Sequence, residues 1–186
     1  MKLILASKSP RRSELLKKIN VNFKVVDSEV DETTLSEKIP ERYCQKLASL
    51  KAKSVLKKFP EHTIIGADTI VEIEKEILEK PSNFSDAYSM LEKLSGKKHN
   101  VLTGISIISK EYEVNFVEKT IVSFFKLRKK DIENYILKNH PYDKSGSYGI
   151  QDDSMIFVES INGNYENVIG MPIAKVYQYL SKLKVI

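Results

Sequence analysis

The sequence predicts an α/β protein with a mixed, twisted sheet flanked by helices. Short apolar runs of strand length alternate with amphipathic segments that have helical spacing. Two long runs, 100–109 and 114–125, are rich in β-branched and aromatic residues. The order of strands and helices does not follow a strict strand-helix-strand repeat. We therefore expect a mixed sheet rather than a purely parallel one.

Helix patterns begin and end at recognisable residues. Ser9-Pro10 predicts the start of the first helix, because serine is a good N-cap and proline suits the first helical position. Pro40 begins the second helix, which is expected to run to about Phe59. Gly96 closes the third. The first predicted helix starts at Pro10, and the other four cover 40–59, 82–94, 129–138 and 172–183.

Strand patterns fill most of the remaining chain. Asp68 separates two short strand-like runs, 63–67 and 69–73. The two long runs are expected to pair in antiparallel fashion, and Asn162-Gly163 predicts a tight turn. Segments 30–38 and 140–154 are polar and are predicted to be loops. The predicted strands are 2–6, 22–26, 63–67, 69–73, 100–109, 114–125 and 155–161.

Composition excludes several classes of protein. The chain has 186 residues, which predicts a single domain over 1–186. A single cysteine, Cys44, excludes an internal disulfide framework, and the three histidines form no local zinc motif. No apolar run approaches the ~20 residues of a membrane span, so we expect no membrane contact and a cytoplasmic location. The net charge of +5 permits an anionic ligand without demanding nucleic acid.

The segment from Ser7 to Arg12 is a candidate phosphate-binding site. It lies between a predicted strand and a predicted helix, where free N–H groups attract anions. Arg11 and Arg12 are two of only four arginines in a lysine-rich chain, and paired guanidinium groups suit phosphate oxygens. The alternative is a solvated basic helix face behind an ordinary N-cap.

Two charged residues fall in apolar surroundings. Asp68 interrupts an apolar stretch and follows two small residues, Gly66 and Ala67. It is either a functional carboxylate or a structural one satisfied by local N–H groups. Lys51 lies on or beside the apolar stripe of the second helix. Its position alone favours a side chain that extends to solvent at the edge of the stripe over one that binds a carboxylate or phosphate.

Weaker signals come from three loops. Glu29, Asp31 and Glu32 form an acidic group that could contribute carboxylates to a magnesium site with Asp68, although acidic loops are usually just solvated. The segment 143–151 contains two glycines and ends in Gln151, whose amide could hydrogen-bond a base edge; the alternative is a surface turn. Lys80 is the weakest signal of all.

Taken together, these segments resemble the Maf (septum-formation inhibitor) family of nucleoside triphosphate pyrophosphatases. The shared motifs are LILASKSPRR, LEKP, LEKLSGKKH, DKSGSYGIQ and GMPIAKV, which span nearly the whole chain. The resemblance implies hydrolysis of a nucleotide to its monophosphate and pyrophosphate, and a divalent cation, Mg²⁺ or Mn²⁺. It also implies a fold similar to that of inosine triphosphate pyrophosphatases and a homodimer, with no stable nucleic-acid complex.

The resemblance also implies roles for individual residues. Asp68 takes the place of the proton acceptor and Glu32 that of an essential carboxylate, and both are candidate metal ligands. Arg11, Arg12, Lys51 and Lys80 fall where the family holds the triphosphate, and Arg11, Thr69 and Gln151 fall at its selectivity positions. Ser7, in the candidate phosphate-binding segment, is a further candidate for substrate binding.

The motif forms GADT and GIQ resemble the branch that acts on dTTP and UTP. The alternatives are the same reaction on 7-methyl-GTP or a purine nucleotide, and a non-enzymatic nucleic-acid or cell-division binding protein. One departure stands out: the family usually has glycine after the GIQ glutamine, where this chain has Asp152 and then Asp153. Their carboxylates would repel a polyanion if they faced the site.

Overall fold

A computed structural model describes residues 3–32 and 35–186 of the chain. Lys2 of the first predicted strand and residues 33–34 of the first predicted loop lie outside the described residues. The helices are α1 (Pro10–Lys18), α2 (Pro40–Lys58), α3 (Phe84–Leu94), α4 (Lys129–Asn139), α5 (Tyr165–Ile169) and α6 (Ile173–Lys182). The strands are β1 (Leu3–Ala6), β2 (Phe23–Val26), β3 (Thr63–Ile73), β4 (Glu76–Leu78), β5 (Lys98–Ile108), β6 (Glu113–Phe124) and β7 (Val158–Asn162).

The described strands form one seven-stranded mixed sheet. Its order is β2-β1-β3-β5-β6-β7, and β4 pairs with β3. β1 lies parallel to both β2 and β3, whereas β3 with β4 and β6 with β7 are antiparallel. The predicted α/β class with a mixed sheet is therefore confirmed. Each described helix is too short or too polar to cross a membrane.

Several elements differ from the prediction in detail. β3 is one continuous strand, and Asp68 lies inside it rather than between two strands. Residues 155–157, predicted as the start of the last strand, belong to a 3₁₀ turn (Asp153–Phe157) that β7 follows. The short elements β4 and α5 were not predicted, because three to five residues carry too little periodicity to be recognised.

The chain divides into two compact units. The first comprises the described residues of Met1–Thr69, Thr103–Glu118 and Gly170–Ile186; the second comprises Ile70–Leu102 and Lys119–Ile169. That the whole chain is one domain stays a prediction. In the first unit, α2 packs its apolar stripe on β1, β3 and β5, and this core contains Ile4, Ala6, Ala52, Val55, Ile64 and Ile108.

The second unit has a core of its own, rich in aromatic side chains. α3 and α4 pack there with the 3₁₀ turn Asp153–Phe157 and with parts of β3, β5 and β6. The imidazole of His99 is buried among Phe124 and Tyr148, and its Nε2 lies 2.7 Å from the Tyr148 hydroxyl. Burial lowers the pKa of His99 from its ordinary 6.5 to about 4, so this imidazole is neutral at pH 7.

Candidate active site

The first unit places its charged residues where the strand order reverses. The chain runs from β1 through α1 to β2 on one side of β1, and then through α2 to β3 on the other. Ligands of open α/β sheets bind beyond the carboxyl ends of strands at such a reversal. β1 ends at Ala6, which pairs with Gly66, so β3 continues past β1 with Asp68 and Thr69.

Gly66 allows α2 to lie close to β3. A Cβ atom on Gly66 would stand 2.1 Å from the Ala48 carbonyl oxygen and 2.8 Å from the Ala52 amide nitrogen. Only glycine accommodates that approach without moving the helix backbone. Because side chains alternate along a strand, Asp68 leaves β3 on the same face as Gly66, towards α2. Lys51, one turn along α2 from Ala48, is thereby brought to Asp68.

Lys51 joins two carboxylates. Its Nζ lies 2.6 Å from Asp68 Oδ1 and 2.8 Å from Glu32 Oε1. The Lys51 and Asp68 side chains are only 10% and 9% exposed, whereas Glu32 is 40% exposed. The interpretation of Lys51 as a side chain that extends to solvent is therefore wrong. Lys51 lies on the buried, apolar face of α2, as its spacing allows. The two carboxylates that offset the cost of burying its ammonium group come from segments that are distant in sequence.

Burial raises the pKa of Asp68 above its ordinary value, and the positive charges of Lys51 and Arg12 oppose that rise. A carboxylate whose pKa is moved upwards, towards neutrality, is a better proton acceptor than a solvated one. The Oδ1 atom of Asp68 accepts a hydrogen bond from Lys51, which lies 17 positions away along the chain, rather than from a local N–H group. The functional role of Asp68 stays a prediction. Cys44, also buried, has its pKa raised by burial to about 12, so its thiol is no nucleophile at pH 7.

Arg12 lies on the other face of β3. Thr69 follows Asp68 and so points away from α2, and Arg12 Nη2 donates to its Oγ1 at 2.9 Å. Arg12 Nη1 donates to Ser7 Oγ at 3.1 Å, and Nε donates to the carbonyl oxygen of Gly170 at 2.9 Å. Ser9 begins α1 without a side-chain cap; its N–H donates instead to Ser7 Oγ. Ser7, Arg12 and Thr69 are thus brought together as one hydrogen-bonded group.

The two neighbouring arginines differ in their surroundings. Arg12 keeps some exposed surface, yet burial lowers its pKa; Asp68 opposes that shift, and the adjacent charge of Arg11 adds to it. A guanidinium group stays protonated at neutral pH even so. Arg11 lies in the same first turn of α1 and is half-buried. The turn carries no acidic residue, so its positive charge and free N–H groups suit an anion.

The second unit holds the other two predicted substrate residues. Lys80 follows β4 and Gln151 ends the loop 143–151, and both side chains are exposed. The segment before Lys80 is hydrogen-bonded to this loop: Ser145 Oγ donates to the Leu78 carbonyl oxygen at 2.5 Å, and Gly146 N–H donates to that of Glu79 at 3.1 Å. The structure therefore brings these two segments together within the second unit.

Asp152 and Asp153 are engaged inside the second unit. Asp152 caps a 3₁₀ turn by accepting from Ser154 N–H at 2.9 Å, and its other oxygen accepts from the Tyr135 hydroxyl at 3.2 Å. Asp153 pairs with Lys138 at 2.7 Å, which holds the pKa of that carboxyl below its usual range. Each carboxylate thus has a local structural partner.

Two carboxylates of the first unit, Asp68 and Glu32, are the candidate ligands for a divalent cation. Among the described residues, no three Asp, Glu, His or Cys side chains form a group that would hold a metal by themselves. Asp68 and Glu32, however, converge on the same ammonium group. One or two carboxylates is the number that Mg²⁺ ordinarily takes from a protein when waters and substrate phosphates supply its remaining ligands.

Sequence reasoning missed two residues of this site. The Gly170 carbonyl accepts from Arg12, and the buried Thr103 hydroxyl lies 3.0 Å from that of Thr69. Gly170 has a φ of +128°, a conformation that favours glycine, and it stands in the GMPIAKV motif. That motif was the available signal for Gly170, whereas nothing in the sequence links Thr103 to Thr69.

Comparison with known proteins identifies relatives along nearly the whole chain. The family model described as Maf-like protein matches residues 2–183. A dTTP/UTP pyrophosphatase of Bacillus cereus is 46% identical over 184 residues, covering 99% of this chain and 96% of that protein. A dTTP/UTP pyrophosphatase of Thermosipho africanus is 48% identical over 180 residues, covering 97% and 92%.

Among solved structures, the Staphylococcus aureus Ham1 protein matches with a TM-score of 0.51 and 17% identity, covering 67% of this chain and 72% of that one. This likeness concerns the fold alone, and it confirms the fold that the sequence resemblance implies. The family model and the two relatives confirm the resemblance itself. The chain belongs to the Maf family.

Proposed function

We propose that this protein is a nucleoside triphosphate pyrophosphatase that hydrolyses dTTP and UTP to the monophosphate and pyrophosphate. The observation that carries the proposal is a buried carboxylate, Asp68, whose pKa is raised by burial and which pairs with Lys51. It lies in a chain that is close to half identical to proteins named for this activity.

Hydrolysis of a nucleoside triphosphate requires a proton acceptor beside a cluster of positively charged side chains. In the proposed reaction the oxygen of a water molecule forms a bond to the α-phosphorus, and the water gives a proton to Asp68. The α–β linkage breaks, and the electron pair leaves with pyrophosphate. Arg11, Arg12, Lys51 and Lys80 are proposed to stabilise the negative charge of the triphosphate and of the leaving group. Thr69 and Gln151 are proposed to select the base.

A divalent cation, Mg²⁺ or Mn²⁺, is part of the proposal. Asp68 and Glu32 would hold it, and when bound it neutralises phosphate charge. Lys51 contacts both carboxylates, so its ammonium group keeps the two side chains oriented towards one another. The low exposure of Lys51 and Asp68 limits the water around them, which strengthens every electrostatic interaction at this point.

Product analysis tests the function. UTP incubated with the protein and Mg²⁺ should yield UMP and pyrophosphate, and Asp68→Asn should lose nearly all turnover. Asp131→Asn is the matched control, since Asp131 pairs with Arg128 on the exposed side of α4. UDP and orthophosphate as the main products would refute the assignment, and so would an Asp68→Asn variant as active as Asp131→Asn.

A nucleotide panel tests the base preference. UTP and dTTP should be hydrolysed faster than CTP, GTP and 7-methyl-GTP. The names of the relatives support this order. A preference for 7-methyl-GTP would keep the reaction and overturn the substrate.

The proposal includes a homodimer and a cytoplasmic location, where nucleoside triphosphates are used. Light scattering on the purified protein tests the dimer, and cell fractionation tests the location.

A further inference from the structure

We propose that the Lys51 ammonium group occupies the position of a divalent cation between Asp68 and Glu32, and that it leaves when such a cation binds. This inference rests on the proposed function, because it concerns the cation and the carboxylates of the same site. The family resemblance places Lys51 among the triphosphate-binding residues, but in the structure its ammonium group contacts the two candidate metal ligands.

The side chains of Asp68 and Glu32 meet at one positive charge. Lys51 Nζ lies 2.6 Å from Asp68 Oδ1 and 2.8 Å from Glu32 Oε1, so it contacts one oxygen of each carboxylate. A cation bound between the two carboxylates needs the lone pairs of these same oxygens. The ammonium group and the cation therefore compete for the pair.

The charges of this group favour a divalent cation. The two carboxylates carry two negative charges and Lys51 supplies one positive charge, whereas a divalent cation supplies two. The Asp68 and Lys51 side chains are about nine-tenths buried, so water screens the charges weakly and the additional positive charge has a large effect.

Lys51 is able to move, whereas the neighbouring cation Arg12 is held. The lysine stem is a flexible chain of four carbon atoms, and Glu32 is 40% exposed, so the ammonium group has a path to solvent on the Glu32 side. Arg12 also attracts both carboxylates, but it donates three hydrogen bonds to protein acceptors. Once released, the Lys51 ammonium group is available to the phosphates, which is the role that the proposed function gives it.

Binding of Mn²⁺ without nucleotide tests the competition. Free Mn²⁺ is measured by electron paramagnetic resonance at pH 8 in wild type and in Lys51→Met. The variant should bind Mn²⁺ about tenfold more tightly, because the competing charge is gone. Adding Glu32→Gln to Lys51→Met should remove the gain. Lys53→Met is the matched control on the same helix and should bind Mn²⁺ as wild type does, since Lys53 pairs with Glu113 instead.

Chemical labelling of the wild-type protein tests the displacement itself and does not depend on how well a variant folds. Sulfosuccinimidyl acetate acetylates exposed amino groups, and mass spectrometry gives the rate at each lysine. Lys51 should react slowly without a divalent cation and several times faster in excess Mg²⁺, because its ammonium group then leaves the carboxylates. Lys53, which is 48% exposed, should react at the same rate in both conditions.

Two results would overturn the inference. Lys51→Met that folds but binds Mn²⁺ no more tightly than wild type would show that the ammonium group does not compete with the cation. Labelling of Lys51 that is unchanged by Mg²⁺ would show that the ammonium group stays in place, even if Mn²⁺ binds the variant more tightly. Wild-type protein that releases no UMP from UTP would instead refute the proposed function, because neither measurement uses nucleotide.

Discussion

Replacing Lys51 by methionine tests whether the Lys51–Asp68 pair holds the site together. The substitution keeps the length and apolar contacts of the side chain and removes the charge. Both partners are about nine-tenths buried, and their atoms are 2.6 Å apart. Removing one member of a buried pair typically costs 3–5 kcal/mol because the other charge is left without a partner. Arg12 still attracts Asp68, so we expect the lower end, a loss of about 3 kcal/mol in the free energy of unfolding at neutral pH.

The loss should depend on pH in a defined direction. Burial already raises the pKa of Asp68, and without Lys51 the pKa rises further. At a pH above the pKa of Asp68 in the folded variant, the carboxyl group is charged and the full loss in the free energy of unfolding is present. As the pH falls through it, Asp68 takes up a proton and no longer needs a cation. The difference between Lys51→Met and wild type should therefore shrink as the pH falls through the raised pKa of Asp68.

Urea unfolding followed by far-UV circular dichroism is the suitable assay, because the chain has no tryptophan. Lys53→Met is the matched control on the same helix. Lys53 pairs with Glu113 at 3.0 Å but is 48% exposed, so its substitution should lower the free energy of unfolding by less than about 1 kcal/mol. Equal losses in the two variants, or a Lys51→Met loss that is constant with pH, would refute the reasoning.

Three further predictions concern buried or capping groups. Because the pKa of His99 is lowered on folding, the unfolded chain binds a proton that the folded chain does not, and the free energy of unfolding of the wild type should fall by about 3 kcal/mol between about pH 6.5 and 4. In urea unfolding, His99→Gln should lose less stability over this range, and an equal loss in the two proteins would contradict the prediction. Gly66→Ala should lower the melting temperature by roughly 10 °C, because its Cβ meets the Ala48 carbonyl oxygen at 2.1 Å, whereas a change under about 2 °C would show that α2 yields easily. Asp152→Ala should lower the free energy of unfolding by about 1 kcal/mol, because the 3₁₀ turn loses its cap, and should leave the KM for UTP unchanged. A KM several times lower would mean that the Asp152 carboxylate repels the substrate.

Most secondary structure follows from local patterns. The start of α1 at Pro10, the long α2 and the strands β1 and β2 arise from apolar periodicity and from proline at the first helical position. The elements that were missed or shifted are short, or lie in the polar segment around 153–157. There the Asp152 cap and contacts with α4 decide the structure, and neither is visible as a local pattern.

The candidate site divides in the same way. Arg12 and Asp68 stand out in the sequence because each is an unusual residue for its position. Lys51 was harder to interpret, since its helical spacing allowed both an inward and an outward side chain. In the structure the Lys51 side chain points inward, because Gly66 allows α2 to lie close to β3 and two carboxylates contact the ammonium group.

The sequence by itself determined the class of fold, the family and the residue types available for phosphate chemistry, since these depend on local pattern and on motifs. Only the tertiary structure decided which of those residues meet. The acceptors of Arg12 lie 5, 57 and 158 positions away along the chain. Such contacts are set by the order of strands and the packing of helices on them, because side chains that are distant in sequence become neighbours only when the sheet forms.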